Sequence, residues 1–358
     1  LRREEPKSPV LRELDKAFQY SALDTCAADG LCATGCPVGI DTGLLVKLLR
    51  ENAHPPLRRR LAGLMARHFG PVERLARGGL RLARLTGLAP ADLPRAARGG
   101  LPKTSSDRAR AVYFPCCVSR VFEPAKGNRP LAETVVEVCR RAGVEVWIPE
   151  GVNQFCCGMP FGSKGYREAS VTSVSRLVEA LWAWTGEGRL PVVVDTSPCA
   201  YTLRTCGPDL DSELQSRYQQ LQILDSIEFA LEEVVPGLTA HNPVGNVALH
   251  PVCLTVKMGL EEQLSKVVQR FCEDAVIPES AGCCGFAGDR GFLVPELTES
   301  ATAIVAEEIR NGSFDGFYSS SRTCEIGLVR ATAKPYRSFW YLLEEASRSG
   351  ISCACPED

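Results

Sequence analysis

The chain has 358 residues, of which 45% are hydrophobic, 23% are charged and 17 are cysteines. This is enough apolar material for two or three globular units and excludes a disordered tail. An odd cysteine count in a chain this long argues against a small disulfide-stapled scaffold and favours an intracellular metal protein. The sequence shows neither a secretion signal nor a long apolar run, which predicts a soluble or peripheral protein.

The N-terminal 55 residues are predicted to be helical. An apolar stripe from Val10 to Phe18 precedes a cysteine loop, and a second stripe from Leu44 to Leu49 follows it.

The loop between these stripes reads CAADGLCATGCP and begins at Cys26. Its spacing is that of the bacterial ferredoxin motif, with Asp29 where the second cysteine would stand. The motif predicts an iron-sulfur cluster held by Cys26, Cys32 and Cys36. Four alternatives stay open: Asp29 as the fourth ligand, a fourth ligand from elsewhere, a three-iron cluster, or a loop-capping role for Asp29.

Leucine and arginine alternate at near-helical spacing between Leu57 and Arg110. Residues 1–110 hold 20 Lys/Arg against 11 Asp/Glu, whereas the remainder holds 21 against 32. Such a stretch can lie on an anionic membrane surface or bind an acidic partner, and helices that pack a leucine face in the core are an equal alternative. With Phe69 as its lone aromatic residue, the segment does not predict nucleic-acid binding. A Pro/Gly-rich link then closes a helical, ferredoxin-like domain over residues 1–106.

From Arg110 onward, short β-branched runs alternate with amphipathic helices, which predicts parallel sheets covered by helices. We therefore expect an α/β fold with two small pseudo-symmetric cysteine-rich domains, residues 107–240 and 241–358. The predicted strands are 111–114, 144–148, 192–195, 247–250, 275–278 and 316–319. The predicted helices are 131–142, 168–184, 215–235, 256–272, 295–311 and 335–346.

Both halves carry the same cysteine pattern: one cysteine, then Cys-Cys-Gly, then one more cysteine. Pro115-Cys116-Cys117 aligns with Pro251-Val252-Cys253, which selects Cys117 and sets Cys116 aside. A Lys/Arg-Gly-aromatic triplet follows each Cys-Cys-Gly. The period of about 130 residues indicates the duplication of a whole domain. The first set is Cys117, Cys156, Cys157 and Cys199, and the second is Cys253, Cys283, Cys284 and Cys324.

The single cysteines of both sets follow predicted strands. Ligands of open α/β sheets bind outside the carboxyl ends of the strands, so three loops are expected to converge on one site per half. Thiolates on such loops are typical iron-sulfur ligands. Zinc is the rival metal, in both halves or in one, because four thiolates make a tetrahedral site, although no CxxC occurs.

Other cysteines and the histidines are given smaller roles. Cys139 and Cys272 are predicted core residues on helices. Cys353 and Cys355 are assigned no role. His250, beside the second site, either donates a hydrogen bond to a cluster or is a satisfied loop residue. No catalytic residue is predicted, since no Ser/His/Asp or paired-carboxylate motif is present.

The segment TCAADGLCATGCPVGIDTG and the second repeat, GCCGFAGDRGFLVPELTESA, resemble the iron-sulfur part of flavin-linked D-2-hydroxyacid dehydrogenases, the large D-lactate dehydrogenases. The repeat also resembles the cysteine-rich domains of the glycolate oxidase iron-sulfur subunit and of heterodisulfide reductase. The resemblance covers nearly the whole chain and implies [4Fe-4S] clusters that pass electrons from FAD to a quinone or cytochrome. We expect a cytoplasmic location, and the basic stretch leaves peripheral contact with the inner face of the membrane open.

The chain has no flavin-binding pattern, so FAD is expected on a partner domain or subunit, upstream if Leu1 marks a boundary within a longer polypeptide. Heterodisulfide reductase closes its repeat with CxxC, which gives five cysteines for a cluster that cleaves a disulfide. Here Thr196 and Ser321 stand at the missing positions. Four thiolates per half therefore favour electron transfer. A thiol-disulfide reductase and a zinc-stabilised docking scaffold stay open as alternatives.

Overall fold

Two four-stranded parallel sheets organise the protein, which we describe from a computed structural model covering residues 5, 7–87, 93–125 and 127–349. The strand orders are β2-β1-β3-β4 and β6-β5-β7-β8, so the two sheets have the same topology. A duplicated domain produces this arrangement. Both sheets fall inside the predicted ranges 107–240 and 241–358, whose limits stay predictions. Leu1, Cys353 and Cys355 lie outside the described residues.

The first sheet has Ala111 of β1 opposite Val146 of β2, and Val112 opposite Val192 of β3. All four residues of β1 are buried, as expected for a central parallel strand. The strands are β1 (Ala111–Phe114), β2 (Val146–Trp147), β3 (Val192–Val194) and β4 (Ile223–Asp225). The second sheet contains β5 (Val244–His250), β6 (Cys272–Val276), β7 (Gly316–Ser319) and β8 (Arg337–Ser338).

The fourth strand of each sheet was not predicted. The helix predicted at 215–235 is wrong, because Ile223 pairs with Val192 and Asp225 then caps the next helix by accepting a 2.9 Å hydrogen bond from the Ile227 N–H. The helix predicted from 335 begins only at Phe339, after Arg337 has paired with Tyr318. Both strands are two or three residues long, so their pairing with a neighbour decides their conformation.

The helix predicted at 256–272 is two shorter helices, and the strand predicted at 275–278 lies at Cys272–Val276. Cys272 is therefore a buried strand residue rather than a helical one. The helices of the two cysteine-rich regions are α6 (Cys117–Val121), α7 (Leu131–Arg141), α8 (Met159–Gly162), α9 (Arg167–Trp184), α10 (Ser197–Thr205), α11 (Ser212–Tyr218), α12 (Ser226–Phe229), α13 (Cys253–Lys257), α14 (Glu261–Gln269), α15 (Arg290–Leu293), α16 (Pro295–Asn311), α17 (Arg322–Thr332) and α18 (Phe339–Ala346).

One apolar core runs through both cysteine-rich regions. It includes Val138 and Leu177 from the first region and Leu264 and Trp340 from the second, all fully buried. Cys139 belongs to this core, as predicted. The shared core fixes the two sheets relative to each other, because apolar side chains from both would be exposed if they separated.

The N-terminal region is helical, and its ferredoxin-like character stays a prediction. Several leucines of its basic helices face solvent: Leu57, Leu75 and Leu85 are 77%, 76% and 85% exposed. The alternative in which the leucine face packs in the core is therefore wrong for these residues. None of the helices in the described part of the chain has the length and apolar character needed to cross a bilayer. The helices are α1 (Pro9–Phe18), α2 (Cys32–Gly35), α3 (Thr42–Ala53), α4 (Pro56–Arg67) and α5 (Phe69–Leu85).

Candidate metal centres

The first cysteine site lies at the carboxyl ends of β1 and β3. Cys117 begins α6, Cys199 lies in the first turn of α10, and the Cys156-Cys157 pair lies in the loop between β2 and α8. The Sγ atoms of Cys157 and Cys199 are 3.1 Å apart, and the thiol of Cys117 contacts that of Cys156. The structure thus brings all four predicted cysteines of this half together.

Cys116, which the alignment of the two halves set aside, also belongs to this site. Its thiol forms a hydrogen bond with that of Cys199. The buried Asp195 carboxylate fixes its backbone by accepting a 2.8 Å hydrogen bond from the Cys116 N–H and a 3.0 Å one from the Tyr113 hydroxyl. The first site therefore has five thiols. One feature of the sequence indicated that Cys116 belongs here: it follows the end of β1 by two residues.

The environment of these thiols separates their pKa values. Burial raises the pKa of the Cys116 thiol to about 12. Hydrogen bonds with Cys156 and Cys199 favour the thiolate of Cys157 and lower its pKa to about 6. A cluster of buried sulfurs with one readily formed thiolate is suited to a soft metal, because metal binding requires deprotonated thiols.

Each Cys-Cys pair is followed by a glycine that the local backbone requires. Gly158 and Gly285 have φ of 87° and 66°, in the left-handed region. A Cβ on Gly158 would lie 2.7 Å from the Ser170 carbonyl oxygen, and one on Gly285 would lie 2.5 Å from that of Leu297. Any larger residue would push the cysteine loop away from the helix that supports it.

A buried arginine joins the loops of the first site. The Arg120 guanidinium donates to the carbonyl oxygens of Pro115 and Phe155, at 2.6 and 2.9 Å, and these residues precede the two cysteine pairs. Its charge is balanced by Glu73 of α5 at 2.7 Å, and both side chains are almost fully buried. This pair therefore connects the N-terminal helices to the first site. No motif indicated either residue.

The second site has two thiol pairs. Cys253 interacts with Cys283, and Cys284 interacts with Cys324. The hydrogen bond with Cys253, together with burial, raises the pKa of Cys283, whereas the hydrogen bond with Cys324 lowers the pKa of Cys284. All four predicted cysteines of this half thus converge, on the same elements as in the first half.

Asp29 lies at this second site. Among the described residues, one set of three potential ligands has all its ligand atoms within 4.8 Å of one another, and it consists of Asp29, Cys253 and Cys283. Cys26, Cys32 and Cys36 do not form such a set. The structure therefore directs the Asp29 carboxylate toward the second cysteine site.

The three N-terminal cysteines share a loop with hydrogen bonds suited to thiolates. The Cys32 sulfur lies 3.1 Å from the Thr42 hydroxyl, and this hydrogen bond lowers the pKa of Cys32. Backbone N–H groups of Ile40 and Val38 lower the pKa of Cys36. The Ala28 N–H donates to the Cys26 sulfur at 3.3 Å. A cluster on Cys26, Cys32 and Cys36 stays a prediction.

The repeated Lys/Arg-Gly-aromatic triplets both contact this N-terminal region. In the first, Tyr166 stacks on His54 with ring centroids 4.0 Å apart, and Gly165 packs against the backbone of Glu51. In the second, Arg290 donates to the Asp24 carbonyl oxygen. The triplets thus join the N-terminal region to both cysteine-rich regions.

A cavity of about 740 Å³ reaches both cysteine sites. Cys117 and Cys199 border it on one side and Cys253 and Cys324 on the other. Apolar side chains of α4 and α5 form a third wall: Leu61, Ala62, Met65, Phe69, Val72 and Ala76. Thr196 and Ser321, at the positions of the missing cysteines, also line it. A molecule in this cavity would lie beside both sites.

His250 is buried near the second site, and burial lowers its pKa to about 4. Neither ring nitrogen has a hydrogen-bond partner of good geometry within the described residues, although the backbone of Gly282 acts on the ring and raises its pKa against the effect of burial. Both alternatives for His250, a satisfied histidine and a donor to a bound cluster, stay predictions.

These donor sets fit iron-sulfur clusters. The first site offers five sulfurs and the second four, all buried except those of the half-buried Cys117, Cys253 and Cys283. They lie on converging loops with a glycine that permits close approach, which is how proteins hold such clusters. Cys116, Cys117, Cys156, Cys157 and Cys199 would hold one, and Cys253, Cys283, Cys284 and Cys324 another. Zinc would also accept four sulfurs.

Comparisons with known proteins find a matching domain family and several similar proteins. Residues 111–204 and 247–328 match the cysteine-rich domain family named CCG, so each half carries such a segment. The chain is 24% identical over 210 residues to lactate utilization protein A 1 of Bacillus anthracis (strain CDC 684 / NRRL 3495), covering 56% of this chain and 81% of that protein. Lactate utilization protein A 2 of Bacillus cereus (strain AH820) gives the same values. Lactate utilization protein A 1 of Bacillus mycoides (strain KBAB4) is 25% identical over 211 residues, covering 56% and 80%.

Proposed function

We propose that this chain is an iron-sulfur electron-transfer module of a flavin-linked 2-hydroxyacid dehydrogenase, with lactate as the expected substrate of the system. The observation that carries the proposal is that each of two matching sheets has a cluster of buried and half-buried thiols at the carboxyl ends of its strands. In the first cluster the sulfurs of Cys157 and Cys199 are 3.1 Å apart. Similarity to lactate utilization proteins supports the substrate class.

The electron balance sets the role of this chain. Oxidation of lactate to pyruvate releases two electrons and two protons to a flavin. Bound [4Fe-4S] clusters supply one-electron redox capacity. Two or three such centres in one chain would accept the electrons singly and deliver them to a quinone or cytochrome. The protein's residues hold the sulfurs, exclude water through burial and fix the distance between sites.

The flavin is expected on a partner domain or subunit. The exposed leucines of α4 and α5, interleaved with arginines, support a surface at which such a partner docks. These helices also form a wall of the cavity between the two sites.

The test is anaerobic purification followed by iron, zinc and acid-labile sulfide analysis and electron paramagnetic resonance of the reduced protein. We expect about four irons and four sulfides per occupied site and reducible signals. Cys156→Ser and Cys283→Ser should each remove one signal. The matched controls Cys139→Ser and Cys272→Ser change buried core cysteines and should remove none. A zinc-loaded protein without a reducible iron signal would defeat the proposal.

A second candidate, a thiol-disulfide reductase, is favoured by two observations. The first site has a fifth thiol, Cys116, and the cavity of about 740 Å³ that borders both sites is large enough for a small molecule. This weakens the expectation, based on four thiolates per half, that disulfide chemistry is absent. Reduction of a disulfide by the isolated chain with a one-electron donor, and without any flavoprotein, would select this candidate. Electron transfer predicts no such turnover.

A further inference from the structure

One carboxylate oxygen at the second cysteine site has no partner in the described part of the chain. The Oδ1 atom of Asp29 accepts a 3.2 Å hydrogen bond from the Leu31 N–H. Its Oδ2 atom is excluded from solvent and makes no hydrogen bond. A buried carboxylate oxygen without a partner is unfavourable. Something at the site must compensate it.

The Asp29 carboxylate lies among other potential metal ligands. One of its oxygens lies within 4.8 Å of the sulfurs of both Cys253 and Cys283. Lys257 is engaged by Asp41 at 3.0 Å, and Lys47 acts on Asp29 through its charge rather than through a hydrogen bond. Once both cysteines are deprotonated, as metal binding requires, a carboxylate this close repels them unless a cation lies between them.

The backbone holds Asp29 in this position at some cost. Ala28 has φ of 54°, which is unfavourable for a residue with a side chain, and Gly30 has φ of 77°. On the opposite wall of the site Ala287 has φ of 45°. Two of the four non-glycine residues with positive φ in the described ranges therefore flank this one site.

The docking contacts fix the loop further. The buried Arg50 donates to the carbonyl oxygens of Cys26, at 2.7 Å, and of Leu23. It also reaches the Ser163 carbonyl oxygen of the first cysteine-rich region at 2.5 Å. Arg50 therefore ties the backbone just before Asp29 to the first cysteine-rich region.

The two sites then have equal numbers of donors. The first has five sulfurs because Cys116 joins it, whereas the residue aligned with Cys116 in the second half is the buried Val252. With the carboxylate of Asp29, the second site has four sulfurs and one oxygen.

We propose that Asp29 is an oxygen ligand of the metal centre on Cys253, Cys283, Cys284 and Cys324, and not of a cluster on the N-terminal cysteines. This inference rests on the proposed function, because it requires iron at the second site. It makes the second site a mixed sulfur and oxygen centre that depends on the N-terminal region for a ligand.

The test is a redox titration of the anaerobic, iron-loaded full chain, followed by electron paramagnetic resonance. The second-site signal is the one that Cys283→Ser removes, and the N-terminal signal is the one that Cys36→Ser removes. In Asp29→Asn we expect the second-site signal to change shape and to shift to higher potential, because a negative ligand is lost. A tenfold change in the reduction equilibrium, 59 mV for one electron, is the expected scale.

Asp24→Asn is the matched control, since it removes the same charge five residues earlier in the chain, from a carboxylate outside the set of potential ligands. An Asp29→Asn second-site signal identical to that of Asp24→Asn overturns the inference, as does a change confined to the N-terminal signal. If Asp29→Asn does not fold, ⁵⁷Fe Mössbauer spectra of the unmodified chain and of Asp29→Cys decide. The unmodified chain should contain an oxygen-coordinated iron, and Asp29→Cys should contain a sulfur-coordinated iron in its place. If the unmodified chain shows no oxygen-coordinated iron, the inference is overturned.

The two proposals fail differently. If Cys283→Ser removes no iron signal from the chain, the proposed function and this inference fall together. If Cys283→Ser removes a signal that Asp29→Asn leaves unchanged, only the assignment of Asp29 falls.

Discussion

The buried pair of Arg120 and Glu73 gives a prediction whose size follows from the structure. The side chains are 2% and 4% exposed and 2.7 Å apart. Replacing Glu73 with alanine leaves the Arg120 charge buried and uncompensated, which typically costs about 3–5 kcal/mol. Because Arg120 also holds the backbone before both cysteine pairs of the first site, we expect Glu73→Ala to weaken that region specifically.

Amide hydrogen exchange in β1 measures this loss. Since each 1.4 kcal/mol is a factor of ten, a loss of 3 kcal/mol would speed the exchange of the Val112 to Phe114 amides by roughly 100-fold or more. The control is Arg110→Ala, which removes an exposed pair with Glu233 and should cost less than about 1 kcal/mol. Iron at the first site should also fall in Glu73→Ala.

A double variant separates the lost contact from the stranded charge. Glu73→Leu combined with Arg120→Met removes both charges and should be less destabilising than Glu73→Ala alone. If Glu73→Ala changes exchange no more than Arg110→Ala does, or if the double variant is the worse of the two, the reasoning about the uncompensated charge is refuted.

Three further outcomes are expected. Burial lowers the pKa of His250 to about 4, whereas its pKa in the unfolded chain is about 6.5. Between these two pH values the unfolded state therefore binds one more proton than the folded state. The free energy of unfolding should fall by about 3 kcal/mol as pH drops from 6.5 to 4, and His250→Gln should flatten that slope in chemical denaturation curves. Gly158→Ala should lower the melting temperature and the first-site iron well beyond Gly143→Ala, whose Cβ would meet open space; equal losses would contradict the close-approach argument. Cys116→Ser should alter the first-site resonance signal while Cys139→Ser leaves it intact, and identical spectra would remove Cys116 from the site.

Much of the fold follows from local patterns. The β-branched run at Ala111–Phe114 and the helix at Pro295–Asn311, with proline at its start, were predicted at their observed bounds. The strands at Ile223–Asp225 and Arg337–Ser338 were missed, because two or three residues carry no periodic signal and a neighbouring strand fixes their conformation. Long periodic elements are encoded locally, whereas short edge strands depend on tertiary pairing.

For the candidate sites, too, some features follow from the sequence pattern and others only from the tertiary structure. The repeated cysteine pattern alone determined that two thiol sites exist and that the strand ends carry them, since parallel strands bring their carboxyl ends to one edge. The alignment set Cys116 aside because it compares positions along the chain, whereas its thiol reaches Cys199 through space. No motif marked Arg120 and Glu73, which are 47 residues apart.

Asp29 shows most clearly what a sequence motif cannot predict. Its place in the ferredoxin-like motif suggested a role beside Cys26, Cys32 and Cys36, but the folded chain brings its carboxylate to Cys253 and Cys283. The sequence by itself determined which residues have the chemistry to bind a metal. The tertiary structure decided which of them share a site, because ligands more than two hundred residues apart meet only when separate regions dock.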